Sequence, residues 1–235
     1  MKLLLIGYGK MGKAIEALAF SRGHTIAGKP DSHEELMKFN GTADVAIEFS
    51  QPDAVMENLK FCFEKKIPVV CGTTGWRHKK EEIETACRQL QGTLFYASNY
   101  SLGVNVFFKL NEYLAKLMNG QANYEVSIDE THHTHKKDAP SGTAITLAEG
   151  IIRNFPSIKE WTLNKTQNAA ALVIHCHRID PAPGTHTVHY RSSVDDLTIT
   201  HTAHSREGFA LGAVLVAEWL AGKTGVYSMD NFLKF

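Results

Sequence analysis

From the first residue, short apolar runs alternate with amphipathic stretches. Leu3 to Ile6, His24 to Ala27, Val45 to Phe49, Pro68 to Cys71 and Thr93 to Ala97 are short and rich in apolar residues, the texture of strands buried on both faces. Between them Lys13 to Phe20, Pro52 to Lys65 and His78 to Leu90 carry helical spacing. The second of these opens on a proline, which suits a first helical turn. Strand and helix in alternation predict parallel βαβ units, closing as a twisted sheet that takes ligands at the carboxyl ends of its strands.

After Ser98 the pattern changes. A long amphipathic helix over about Val104 to Met118 leads to a strand, Tyr124 to Ile128, and then to a polar, histidine-rich loop. Ala171 to Ile179, Thr185 to Arg191 and Leu197 to His204 alternate with period two and have no helix between them, which predicts an antiparallel or mixed sheet. Helical spacing returns at Gly208 to Leu220 and stops at Gly222, so this tail is expected to pack back onto the first domain. The expected fold is α/β, a doubly wound parallel sheet plus a smaller α+β domain with a mixed sheet. The domains are 1–101 with 207–235, and 102–206, with hinges near Ser98 to Leu102 and at Arg206. No internal repeat is visible.

A chain of 235 residues is long enough for two modest cores. Lys plus Arg balance Asp plus Glu at 25 each, which argues against a polyanion-binding surface and so against a nucleic-acid partner. No apolar stretch approaches the roughly 20 residues of a spanning helix, and the apolar start is too short for a secretory core. Cys62, Cys71, Cys87 and Cys176 form no CxxC pair, so they read as buried small hydrophobes in a reducing cytoplasm.

The sequence Gly7-Tyr8-Gly9-Lys10-Met11-Gly12 places GxGxxG between a strand and a helix, where the pattern has a mechanism. Gly7 makes a tight turn, Gly9 lets backbone approach a pyrophosphate, and Gly12 lets the helix pack closely with its N-terminus toward the phosphates. This predicts a Rossmann-type site for NADH or NADPH. Asp31 follows at about the interval of a ribose-binding carboxylate, yet Lys29 beside it could neutralise the 2′-phosphate of NADP. The preference therefore stays open, as does the alternative that Lys29 is an ordinary surface charge.

Glu130 to Ala144 reads ETHHTHKKDAPSGTA. His132, His133 and His135 can exchange protons near neutral pH, Lys136 is a cation and potential acid, and Asp138 to Thr143 looks like a helix entrance, with Asp138 as cap and Pro140 in the first turn. Backbone amides at Gly142 would suit a carboxylate, so a small dianionic substrate is expected. The competing readings are a zinc site and a capped surface helix. The HHxH spacing matches no zinc signature, so no metal is expected.

These residues resemble the 4-hydroxy-tetrahydrodipicolinate reductase family, formerly the dihydrodipicolinate reductases. The resemblance also covers GKMG at 9 to 12, GTTG at 72 to 75, ASNYSLGVN at 97 to 105 and TITHTAHSREGFALGA at 198 to 213, nearly the whole chain. GTTG alone would pass for an ordinary strand-to-helix turn. By resemblance, Gly7 to Gly12, Gly72, Thr73, Thr74, Ala97, Ser98, Asn99 and Tyr100 line the cofactor. His132 is the acid/base histidine, Lys136 the proton donor, and His133, Gly142 and Thr143 bind substrate. The chain departs from the family in its tighter glycine loop and in a second strand ending in GKPD. The resemblance implies NAD(P)H reduction of a cyclic imine dicarboxylate in diaminopimelate and lysine biosynthesis, with 102–206 as substrate and oligomerisation domain of a homotetramer. Two other functions stay open: a two-domain oxidoreductase or NAD-dependent dehydratase acting on a sugar or amino acid, and a dinucleotide-sensing regulator. The regulator would need a DNA-binding helix pair or a basic face, and neither is visible in the sequence.

Overall fold

The structure, a computed structural model, describes residues 1–164, 167–205 and 207–235. The chain divides into two compact units, Met1–Ser101 with Glu207–Phe235, and Leu102–Arg206. Arg206, one of the expected hinges, lies outside the described residues.

The first unit contains β1 (Lys2–Ile6), α1 (Lys10–Ser21), β2 (Thr25–Gly28), α2 (His33–Met37), β3 (Val45–Glu48), α3 (Val55–Glu64), β4 (Val69–Cys71), α4 (Lys80–Gln89) and β5 (Thr93–Tyr96). After the second unit the chain returns here as α7 (Glu207–Leu220), β11 (Gly225–Tyr227) and α8 (Met229–Leu233). Six strands form one parallel sheet in the order β11-β5-β4-β3-β1-β2. The strand order reverses at β1, flanked by β2 and β3, which makes the carboxyl end of β1 the switch point of a doubly wound sheet.

Successive side chains of a strand face opposite ways, and both faces are covered. Leu3, Leu5, Val45, Ile47 and Phe95 pack with Ile15 and Ala19 of α1 and Ala213, Val214 and Ala217 of α7. Leu4, Ile6, Ala46, Val69 and Leu94 pack instead with Leu59 and Phe63 of α3 and Ile83 of α4. That double burial is why these strands read as unbroken apolar runs. The sequence pattern did not reveal α2, β11 or α8, each of five residues or fewer.

The second unit contains α5 (Leu102–Met118), β6 (Glu125–His132), α6 (Gly142–Asn154), β7 (Glu160–Leu163), β8 (Ala171–Arg178), β9 (Gly184–Arg191) and β10 (Asp196–Ala203). Its five strands run in the order β10-β9-β6-β8-β7. The sheet is mixed, because β6 pairs parallel with β8 and antiparallel with β9. Phe107, Leu114 and Ala115 of α5 and Leu147 and Ile151 of α6 bury one face against Ile128, Leu172, Ile174, Val188 and Tyr190. Beyond Ile128, where the apolar pattern ends, β6 runs on to His132, so the histidine segment begins on a strand. Among the described residues, no helix is long and apolar enough to cross a membrane.

Candidate functional site

The first unit gathers four segments at the carboxyl edge of its sheet, because all six strands are parallel. Gly7 to Gly12 follow β1, Lys29 and Asp31 follow β2, Gly72 to Thr74 follow β4, and Ala97 to Tyr100 follow β5. Gly7 has φ +88°, and a Cβ there would lie 2.2 Å from the Phe49 carbonyl oxygen. A Cβ on Gly12 would lie 2.4 Å from the Gly7 carbonyl oxygen. Both glycines are thus required by close backbone approach. Gly9 differs, since a Cβ there meets nothing within 4 Å. It is the N-cap of α1 and offers no side chain to the first turn, leaving amides that an anion can take. A forced turn, an open Gly9 and an uncapped helix N-terminus fit a dinucleotide pyrophosphate.

Asp31 accepts a 2.6 Å hydrogen bond from the Tyr8 backbone N–H, so the carboxylate after β2 is fastened to the glycine turn. Lys29 sits 4.5 Å over the Tyr8 ring and donates to Glu16 Oε1 at 3.1 Å. The Tyr8 hydroxyl donates to the other Glu16 oxygen. These two hydrogen bonds, Tyr8 first and Lys29 second, hold the Glu16 carboxyl below its ordinary value.

In the GTTG loop a Cβ on Gly72 would fall 2.1 Å from the Phe49 ring, so glycine is needed for packing. Thr73 Oγ1 accepts from the Ser50 N–H at 2.8 Å and the Thr73 carbonyl accepts from Trp76 Nε1 at 2.7 Å. Thr74 is exposed. Ala97 and Tyr100 are buried, the Tyr100 hydroxyl donating to the Cys71 carbonyl at 2.7 Å, while Ser98 is exposed and Asn99 Oδ1 accepts from the Ser101 N–H.

The second unit carries His132 at the end of β6, Lys136 in the segment that follows, and Gly142 and Thr143 at the start of α6. The helix is capped by Ser141, whose Oγ accepts from the Ala144 N–H at 3.2 Å. Asp138, expected from sequence to be the cap, instead takes Lys136 Nζ on both carboxylate oxygens at 2.8 Å. The reason is reach: Ser141 directly precedes the first helical residue, whereas Asp138 lies three residues further back. Gly142 and Thr143, as first and second helical residues, have N–H groups with no partner inside the helix. A Cβ on Gly142 would meet nothing within 4 Å, so space is open beside the helix start.

Behind this segment lies a buried polar cluster that the sequence pattern did not reveal. Glu130 and His132 are two apart on β6 and share a face; register places His186 of β9 opposite Glu130, and Arg178 of β8 opposite His132. Glu130 is fully buried, accepts from the Ser141 N–H at 2.9 Å, and receives Arg178 Nη2 at 3.1 Å. His186 Nε2 lies 3.0 Å from Ser141 Oγ. Burial would push the Glu130 carboxyl up, but hydrogen bonds from His186 and from the Ser141 side chain and backbone prevail and hold it well below the usual carboxylate range. His132, 7% exposed, is pushed down to about 4 by burial, then by His186, Lys136 and Arg178, with Glu130 opposing. Its Nδ1 lies 3.9 Å from Glu130 Oε2 and has no hydrogen-bond partner among the described residues. His133 is half-buried and His135 exposed, their rings 6.3 Å apart.

Ligand atoms of Glu130, His132 and His186 lie within 4.8 Å of one another, a spacing that a small cation could bridge. The Ser141 amide and the Arg178 guanidinium already occupy the Glu130 oxygens. A second positive charge would meet Arg178 directly, so the donor set suits an internal hydrogen-bonded network better than a divalent ion.

A doubly wound parallel sheet with a forced glycine turn at its switch point, carried with an α+β unit of mixed sheet, defines a Rossmann-type oxidoreductase. Family models agree over nearly the whole length: one described as dihydrodipicolinate reductase, N-terminus, matches residues 1–100, and one described as dihydrodipicolinate reductase, C-terminus, matches 103–233. The chain belongs to the dihydrodipicolinate reductase family. It is 47% identical over 234 residues to the 4-hydroxy-tetrahydrodipicolinate reductase of Christiangramia forsetii, covering 99% of this chain and 98% of that one. It is 35% identical to the enzyme of that name from Archaeoglobus fulgidus, covering 98% and 84%. The fold is similar to that of dipicolinate-bound dihydrodipicolinate reductase from Paenisporosarcina sp. TG-14, with TM-score 0.78 at 19% identity over 98% of both chains. An amine dehydrogenase from Mycobacterium smegmatis shares the fold at TM-score 0.60 and 10% identity, covering 96% and 94%. Family membership brings with it a nicotinamide dinucleotide cofactor and a small-molecule substrate.

Proposed function

We propose that the chain carries out its family's reduction, of 4-hydroxy-tetrahydrodipicolinate to tetrahydrodipicolinate, with Lys136 as proton donor, His132 as a neutral acid/base partner, and the start of α6 as carboxylate cradle. The observation that carries the reading is the single short segment in which Lys136 and then the first two helical residues, Gly142 and Thr143, with open space beside Gly142, follow His132. A helix N-terminus and a cation match a dicarboxylate in charge and in donor geometry.

When bound, a nicotinamide would supply hydride for the ring carbon that loses water. The chain's own work is holding and proton transfer. Gly7, Tyr8, Gly9, Lys10, Met11 and Gly12 would hold the pyrophosphate, Asp31 and Lys29 would read the ribose, and Gly72, Thr73, Thr74 and Ala97 to Tyr100 would hold the nicotinamide end. Gly142 and Thr143 amides, with His133, hold the carboxylates against reorientation. Lys136 protonates the carbanion-like centre beside the reduced carbon. Asp138, bonded to Lys136 through both oxygens, fixes where that ammonium points. With its ring pushed down to about 4, His132 enters the reaction neutral and accepts or relays the proton rather than supplying it. No metal takes part. Both NADH and NADPH serve, since Lys29 is partly engaged by Glu16 and Asp31 is fastened near the ribose position.

A homotetramer built on the second unit is supported by the outer stripe of α5, where Val106, Leu110, Tyr113 and Leu117 recur at helical spacing and are 47–60% exposed. Four free thiols support a reducing, cytoplasmic setting. The decisive assay generates substrate in situ with the preceding synthase and follows loss of reduced-nicotinamide absorbance. Turnover with either cofactor supports the reading, and a flat trace with both overturns it.

A further inference from the structure

We infer that Glu130 and Arg178 are positioning residues for this reaction: together they pin the substrate cradle to the sheet, and Glu130 also selects which ring nitrogen of His132 carries its proton. The inference rests on the reading of His132, Lys136, Gly142 and Thr143 given above.

The turn from Asp138 to Ser141 carries the groups flanking the cradle, and it is tied down at both ends. At its far end the Ser141 N–H reaches Glu130 Oε2 at 2.9 Å. At its near end the Asp138 carbonyl accepts from Arg178 Nη2 at 2.7 Å, and the same nitrogen reaches Glu130 Oε1 at 3.1 Å. One carboxylate and one guanidinium therefore staple both ends of the turn to neighbouring strands. Glu130 is fully buried and Arg178 half-buried, so water offers little competition for these bonds. A paired, buried ion pair of this kind holds geometry more dependably than it adds stability.

The second effect follows from His132 Nδ1, a buried nitrogen without a hydrogen bond among the described residues, 3.9 Å from Glu130 Oε2. A carboxylate at that distance attracts a proton on Nδ1, which leaves the Nε2 lone pair as the reactive edge. Gly184 clears that edge: a Cβ there would lie 3.1 Å from Nε2.

The test compares Glu130→Gln, Arg178→Met, Arg178→Lys and Lys136→Ala, each checked for a cooperative melt and for NADH affinity within twofold of the parent. Glu130→Gln keeps an oxygen for the Ser141 amide but loses the charge. It is expected to lower kcat by at least tenfold and, in spectra of ¹⁵N-labelled histidine, to move His132 from an Nδ1-protonated signature to a tautomer mixture. Arg178→Met is expected to raise KM at least tenfold with a smaller change in kcat, and Arg178→Lys to recover part of that rise. If Glu130→Gln fails to fold, the Arg178 pair decides, with equal KM for Met and Lys overturning the inference. Glu130→Gln and Arg178→Met variants with kcat and KM within twofold of the parent, beside a disabled Lys136→Ala, overturn this inference alone. Silence of all three overturns the site assignment as well.

Discussion

The Lys29 ammonium lies 3.1 Å from Glu16 Oε1, so the cation best placed to meet a ribose 2′-phosphate already has a carboxylate partner. The two cofactors should therefore bind within about tenfold of each other. Lys29→Ala should weaken NADPH more than NADH. Glu16→Gln, which releases the ammonium, should shift preference toward NADPH. Fluorescence titration with both cofactors checks this, and an unchanged ratio in both variants would make Lys29 a bystander.

Gly9 offers a cleaner test of the cofactor cradle than its neighbours. A methyl at Gly7 would strike backbone, whereas one at Gly9 enters open space and points where a pyrophosphate would lie. Gly9→Ala is expected to melt within a degree or two of the parent yet bind either dinucleotide at least tenfold more weakly. Unimpaired binding would move the phosphate site elsewhere.

Lys136→Ala and His132→Gln should each lower kcat by about 10² to 10⁴, the usual contribution of a positioned acid or base, while NADH binding survives. The cofactor residues belong to the first unit and these two to the second. His133→Ala should act mainly on KM, because a carboxylate contact is made in ground and transition states alike. Steady-state kinetics on the three variants decides. A silent His132→Gln beside an inactive His135→Ala would put the register of the assignment wrong.

His132 also predicts a pH dependence of stability. Its ring is pushed from the ordinary 6.5 down to about 4, so the unfolded chain binds the proton more readily than the folded one. The corresponding stability is fully present above about pH 6.5 and is lost as pH falls toward 4. Thermal melts at pH 7 and pH 4.5 should show a larger loss in the parent than in His132→Gln. Parallel losses would mean that the ring titrates normally.

Exhaustive chelation should leave turnover intact, because each Glu130 oxygen already accepts a hydrogen bond, from Ser141 and from Arg178, and the guanidinium already supplies the carboxylate's counter-charge. Activity lost in chelator and regained with zinc would establish a metal at Glu130, His132 and His186.

The parallel sheet was legible in the sequence because its strands are covered on both faces and read as apolar runs; β11, three residues long, carries too little pattern to be seen. The candidate segment stands out in the sequence because its titratable and helix-opening residues are contiguous from His132 to Thr143. What lies beneath it was hidden. Glu130, Arg178 and His186 are far apart in the chain and meet only through the registers of β6 with β8 and β9, which no local spacing encodes. A signal did exist: Ile128, Glu130 and His132 alternate on a strand face that is otherwise apolar, so two polar side chains stood at positions that needed partners. Asp138 shows the opposite error, a plausible cap by residue type that a nearer serine displaced.

The return of α7 and β11 to the first unit governs the order in which this chain can fold during synthesis. Val226 pairs with Leu94 in the completed sheet, and Ala213, Val214 and Ala217 cover one of its faces, yet the whole of 102–206 is made in between. Until the last segment leaves the ribosome, one face of the nascent sheet is covered by α1 alone and β5 remains an open edge, the surfaces that invite misassociation. The second unit, continuous in the chain, can complete its core first. The dinucleotide fold is then closed late by its own C-terminal segment, and a ribosome-stalled chain ending before Glu207 should be the species most dependent on chaperones.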